Sequence, residues 1–165
     1  MSKKGPKSLI VPTPETPQSA FSKFSIGVDK PSGFYDNRTF KPTFSFLYIK
    51  MEYSSLCFNN PDLKIDHFHK FLSRLQVLEG KTYQELRDGG KQYRFHDVKF
   101  ESEKVSVSFI NYKNAVCKNP DKVIDDQVPS CYQLDIAHKI RVMGYLGYNG
   151  IFYLVWCDAD HEIYS

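Results

Sequence analysis

A chain of 165 residues, 41% hydrophobic and 25% charged, has the size and composition of one globular domain with an extension. Its formal charge of +3, from 22 Lys and Arg against 19 Asp and Glu, is too small to demand a polyanionic partner; RNA is allowed but not favoured. The longest uninterrupted apolar run, Ile151 to Cys157, falls far short of the roughly 20 residues of a membrane-spanning helix, so no membrane partner is expected.

Residues 1–42 hold most of the nine prolines together with Ser, Thr, Lys and Gly, and show no sustained hydrophobic period, which predicts an extended Pro-rich arm. Its start is basic, but only Leu9-Ile10-Val11 precedes a proline, so the apolar centre of a secretion signal is missing and a cytoplasmic location is expected. The arm carries Phe21, Phe24, Phe34, Tyr35 and Phe40, too many aromatics for a purely solvated linker. Phe21, Phe24, Phe34 and Tyr35 are therefore candidate anchors on the domain or on a partner.

Residues 43–165 predict a single α+β domain. Phe44 to Tyr53 is rich in aromatic and β-forming residues, with Leu47, Ile49 and Met51 on one face, and predicts a first strand. After Asn59-Asn60-Pro61, Ile65, Phe68, Leu72 and Leu75 recur at helical steps and predict an amphipathic helix over 63–78. Thr82 and Glu85 have capping-box spacing and open a short second helix, stopped at Gly89-Gly90. Val105 to Tyr112 alternates and predicts a strand, followed by a polar loop over 113–130. Tyr132 to Ala137 alternates as well, and Lys139 to Leu146 joins Ile151 to Cys157 across Gly147-Tyr-Asn-Gly150, a hairpin signal; a short strand over 162–164 closes the chain. The predicted architecture is an antiparallel sheet of four to five strands with two helices on one face, in the order β-α-α-β-β-β-β.

Cys57, Cys117, Cys131 and Cys157 form no C-x-x-C pair, which argues against a zinc ribbon or a thioredoxin-type site and for reduced, mostly buried thiols. Cys117 and Cys131 bracket the polar loop, where a bridge would require an oxidising compartment.

The last third carries two resemblances. Arg141, Gly144 and Tyr145, then Phe152, Tyr153, Val155 and Trp156, then Asp158, His161, Ile163 and Tyr164 resemble the C-terminal pattern of small bacterial proteins of unassigned function carried on phages and plasmids. The order of elements, with a basic-aromatic strand from Lys139 to Tyr145 and a terminal region at His161 and Tyr164, more loosely resembles the RelE/ParE superfamily of toxins. The second resemblance implies metal-independent endoribonuclease activity on mRNA and an antitoxin partner.

Metal-free RNA cleavage needs a group to take the ribose 2′-hydroxyl proton, one to protonate the leaving oxygen, and cations to stabilise charge on the phosphate. Arg141, Tyr145, His161 and Tyr164 are the candidates for those roles, with Arg141 and Tyr145 on one strand face. The same residue types at alternating positions are also what a half-exposed sheet carries. Asp158, Asp160 and His161 have metal-ligand chemistry, but without a second ligand cluster the turn reading is preferred and no metal or other cofactor is expected. His67 and His69 lie two apart, hence on different helix faces, and joint ligation is not expected. No phosphate-binding loop, nucleophile elbow or zinc-protease motif occurs. The sequence therefore supports a non-enzymatic interaction module of a phage or mobile element, binding a host or defence-system protein, with a RelE-like RNase as the alternative.

Overall fold

In the computed structural model, which describes residues 32–51, 55–137 and 139–164, the C-terminal hairpin is the element around which the rest is laid. In chain order the elements are α1 (Phe34–Asn37), β1 (Thr43–Ser45), α2 (Ile65–Glu79), α3 (Tyr83–Asp88), β2 (His96–Asp97), α4 (Phe109–Val116), β3 (Tyr132–Ala137), β4 (Ile140–Leu146) and β5 (Ile151–Asp158). The strands form one sheet in the order β1-β5-β4-β3-β2. No helix among the described residues is long and apolar enough to cross a membrane.

The α+β architecture and the hairpin agree with the sequence reading, and four details differ. The first strand shrinks to Thr43–Ser45 and runs parallel to β5, so the sheet is mixed and not wholly antiparallel. The predicted strand over 105–112 is instead the approach to a helix: the Ser108 hydroxyl accepts the Asn111 N–H at 3.2 Å and caps α4, which ends the alternation after four residues. Only Val105 keeps a β-type contact, an isolated bridge to Tyr164 that replaces the short strand predicted at 162–164. The fourth difference is the inner stripe of α2, which runs through Phe71, Leu75 and Leu78, while Ile65, Phe68 and Leu72 face outward.

Both sheet faces are covered. Phe71, Leu75 and Leu78 of α2, with Tyr83 and Leu86 of α3, pack on Leu134, Val142, Leu146, Phe152 and Leu154. On the opposite face Tyr112, Ala115 and Val116 of α4 pack on Met143, Tyr145, Tyr153, Val155 and Trp156. A strand covered on both sides reads as a continuous apolar run, which is the character of β5.

A bulge sets which residue goes to which face. Met143 pairs with Trp156 but Gly144 pairs with Leu154, leaving Val155 as the extra residue in β5. Val155 and Trp156 consequently share the α4 face, and the residues beyond them are inverted: Cys157 turns towards α2 and Asp158 turns to stand opposite Arg141. Gly144 permits this approach, because a Cβ there would lie 2.0 Å from the Tyr153 carbonyl oxygen.

The hairpin turn holds the end of the arm. Asn149 and Gly150 both have positive φ, 57° and 78°, as the Asn-Gly signal predicted. Buried Asn37 accepts the Gly150 N–H at 2.9 Å and donates to the Gly33 carbonyl at 3.0 Å, while the Tyr83 hydroxyl donates to the Gly150 carbonyl at 3.0 Å. The α3 capping box is present as read from Thr82 and Glu85, and its hydrogen bonds hold the Glu85 carboxyl below its usual range.

Gly144→Ala should destabilise the fold by about 3 kcal/mol, because the new methyl meets backbone that has no room to move. That corresponds to a fall in Tm of about 6–12 °C by calorimetry. Gly90→Asn, at φ 50° with open space around it, should cost only about 1 kcal/mol.

Candidate binding cleft and the sheet terminus

Of the four residues proposed from sequence for RNA cleavage, Arg141 and Tyr145 are interior and lie towards opposite ends of β4, paired with Asp158 and Tyr153, while His161 and Tyr164 follow β5. Arg141 is 2% exposed, ion-paired with Asp135, and donates from Nη1 to the Ile140 carbonyl at 3.1 Å. Burial pulls its pKa down, and the Asp135 carboxylate opposes that pull. Tyr145 is fully buried, stacked on Tyr153 with ring centroids 5.0 Å apart and near Tyr48 at 6.1 Å. Tyr164 is half-buried and meets the His96 ring edge-on at 5.8 Å. His161 is half-buried too, has φ 64°, and keeps a buried Nδ1 without a hydrogen-bond partner among the described residues. An open face presenting all four is not formed.

The stretch from Asp158 to Tyr164 is a strap over the sheet. Both Asp158 carboxylate oxygens are used on backbone: one accepts the Glu162 N–H at 2.8 Å and the other the Ile163 N–H at 3.0 Å. Ile163 is then buried against the α4 face, and its carbonyl accepts the Ser106 N–H at 2.9 Å. Among the described residues no group of three His, Cys, Asp or Glu is placed to hold a metal ion. His67 is engaged at the start of α2, where its Nδ1 accepts the Lys64 N–H at 3.1 Å.

An opening lies at the Tyr132 end of β3. It is a cleft of about 740 Å³ whose walls come from the end of the arm (Gly33, Phe34, Tyr35), from Arg87 of α3, from residues 97–101, from Phe109 and Tyr112 of α4, and from residues 128–132. At one side the Arg87 guanidinium lies 3.5 Å from the Phe34 ring centroid and 3.4 Å from an Asp97 carboxylate oxygen. The Tyr132 hydroxyl accepts the Phe34 N–H at 3.1 Å and is also hydrogen-bonded to Asp97. Burial first, and the Asp97 charge next, raise its pKa, so it stays a phenol and donates to that carboxylate. On the other side Phe100 stacks on Tyr112 with centroids 5.2 Å apart and meets Phe109 at 5.9 Å. The cleft is thus aromatic on two sides with a paired cation and anion between them.

Of the binding candidates in the arm, Phe21 and Phe24 lie outside the described residues. Phe34 and Tyr35 divide the work: Phe34 is 6% exposed and forms the wall under Arg87, whereas Tyr35 is 77% exposed at the rim. Arg87, Asp97, Phe100, Phe109 and Tyr132 were not singled out from sequence, since they come from separate segments with no shared spacing. All four cysteines are free and buried; burial and the Asp158 charge push the Cys157 thiol up to about 12, and burial raises Cys131 further.

Comparison with protein-family models, with curated proteins and with solved structures found no match for this chain.

Asp158→Ala should release the strap, costing about 3 kcal/mol because two N–H groups lose a charged acceptor and one of them is buried. Hydrogen exchange should accelerate at the Glu162, Ile163 and Ser106 amides well before the β4 amides respond.

Proposed function

We propose that the chain acts by binding another protein, taking an apolar segment of its partner into the aromatic cleft. The observation that carries this is the cleft itself: about 740 Å³, walled by Phe34, Phe100 and Phe109, with Tyr35 77% exposed at its rim. Pockets of this size and lining hold ligands, and exposed Tyr beside a partly desolvated Arg is the composition of a binding hot spot. The Arg87–Asp97 pair supplies polar atoms at the cleft edge that can fix a partner's register. This agrees with the interaction module of a phage or mobile element suggested by the C-terminal pattern, with a host or defence-system protein as partner. Burial of Arg141 and Tyr145 weighs against the RNase alternative, which needs both at the reacting phosphate.

Tyr35→Ala removes an exposed ring and should leave the fold intact, so its effect reports on binding. Capture of a specific protein from cell extract by the full chain should fall at least about tenfold with this variant, equivalent to about 1.4 kcal/mol. Purified chain should leave RNA intact, with or without translating ribosomes. Capture unchanged by Tyr35→Ala, or RNA cleavage abolished in His161→Ala, would overturn the proposal.

A further inference from the structure

Helix α2 is apolar beyond the stripe it buries. With Phe71, Leu75 and Leu78 on the sheet, successive residues turning by about 100° place Ile65, Phe68 and Leu72 together on one flank. These three follow i, i+3, i+7 spacing, the seam along which helices pair. On the other flank Arg74 donates to the Asp135 carbonyl of β3 at 3.1 Å, and Lys70 shares a small opening with Ala137 and Lys139. Since the sheet runs β1-β5-β4-β3-β2, the flank turned away from β3 is the β1 side.

Two further exposed residues extend this face. Phe46 and Leu47 follow directly on β1, an end strand of the sheet, and Phe46 meets Phe71 with ring centroids 6.2 Å apart. Phe46, Leu47, Ile65, Phe68 and Leu72 are each between 37% and 72% exposed. At roughly 150–200 Å² for a fully exposed side chain of this size, they leave about 400–550 Å² of apolar surface on one copy. A standard protein interface takes about 800 Å² from each partner, of which roughly 60% is apolar, so this face holds what one side of a dimer needs. The exposed residues bordering the stripe, His69, Ser73 and Gln76, carry no fixed charge, and Glu79 lies two turns beyond Leu72. Two copies can therefore meet there without bringing like charges together.

We propose that the chain forms a twofold dimer in which α2 packs antiparallel on α2 of a second copy. Ile65 of each copy then lies against Leu72 of the other, with the two Phe68 rings at the crossing. A twofold contact repeats each pairing, so the same few side chains are buried on both sides. The patch shares no residue with the cleft, so the dimer presents two clefts, and its formation does not depend on what they bind.

Interfaces of standard size bind with micromolar Kd or tighter, so light scattering on the full chain at about 100 µM should give twice the 19.2 kDa chain mass. Leu72→Glu and Ile65→Lys each alter an exposed side chain and should each raise the dimer Kd at least about 100-fold, with the circular dichroism spectrum unchanged. The double variant Ile65→Lys, Leu72→Glu sets Lys against Glu at both contacts and should associate at least about tenfold more tightly than either single variant. A 19.2 kDa mass for the unmodified chain at that concentration would overturn the proposal and leave the face to a different protein. So would a dimer indifferent to both single substitutions, or a double variant no tighter than the singles.

Discussion

The close approach of Gly144 to the Tyr153 carbonyl governs much of this molecule. Without a side chain at 144, β4 and β5 come together with Val155 bulged, and from that point the strand's two faces are exchanged. Trp156 joins the α4 core where a regular strand would have sent it towards α2. Asp158 arrives opposite Arg141 and captures the backbone of Glu162 and Ile163. The residues that look most like chemistry in the sequence are committed to architecture by one inserted position.

The same hairpin positions the working surface. Its Asn149-Gly150 turn is tied by Asn37 and Tyr83 to the end of the arm and to α3. That brings Phe34 under Arg87 and leaves Tyr35 standing out. Tyr132 then links Phe34 to Asp97, so one phenol joins arm, β2 and β3. The polar groups of the cleft are mutually paired, and Tyr35 stands exposed at its rim.

Signals carried by neighbouring residues were legible in the sequence: the Asn149-Gly150 turn, the Thr82 and Glu85 cap, and the β4–β5 hairpin all depend on short-range chemistry. Phase was not legible. From Ile151 to Cys157 every residue is apolar, so no alternation exists to reveal the bulge. Helix α2 carries apolar residues on two adjoining stripes, and the stripe through Phe71, Leu75 and Leu78 won because the sheet lies there. At Ser108 a local cap overrode a strand-like alternation. Phe34 and Tyr35 were identifiable as aromatics in a polar arm, but their cleft partners are assembled by tertiary folding from four other segments, which no linear motif records.

The most direct test of this account is the register of β4 against β5, measured from interstrand Hα–Hα nuclear Overhauser effects. The bulge predicts a contact between Met143 and Trp156 and another between Arg141 and Asp158, with none between Met143 and Val155. A regular register, pairing Met143 with Val155 and Arg141 with Cys157, would turn Asp158 to the other face and contradict the assignment of the terminal stretch as a strap.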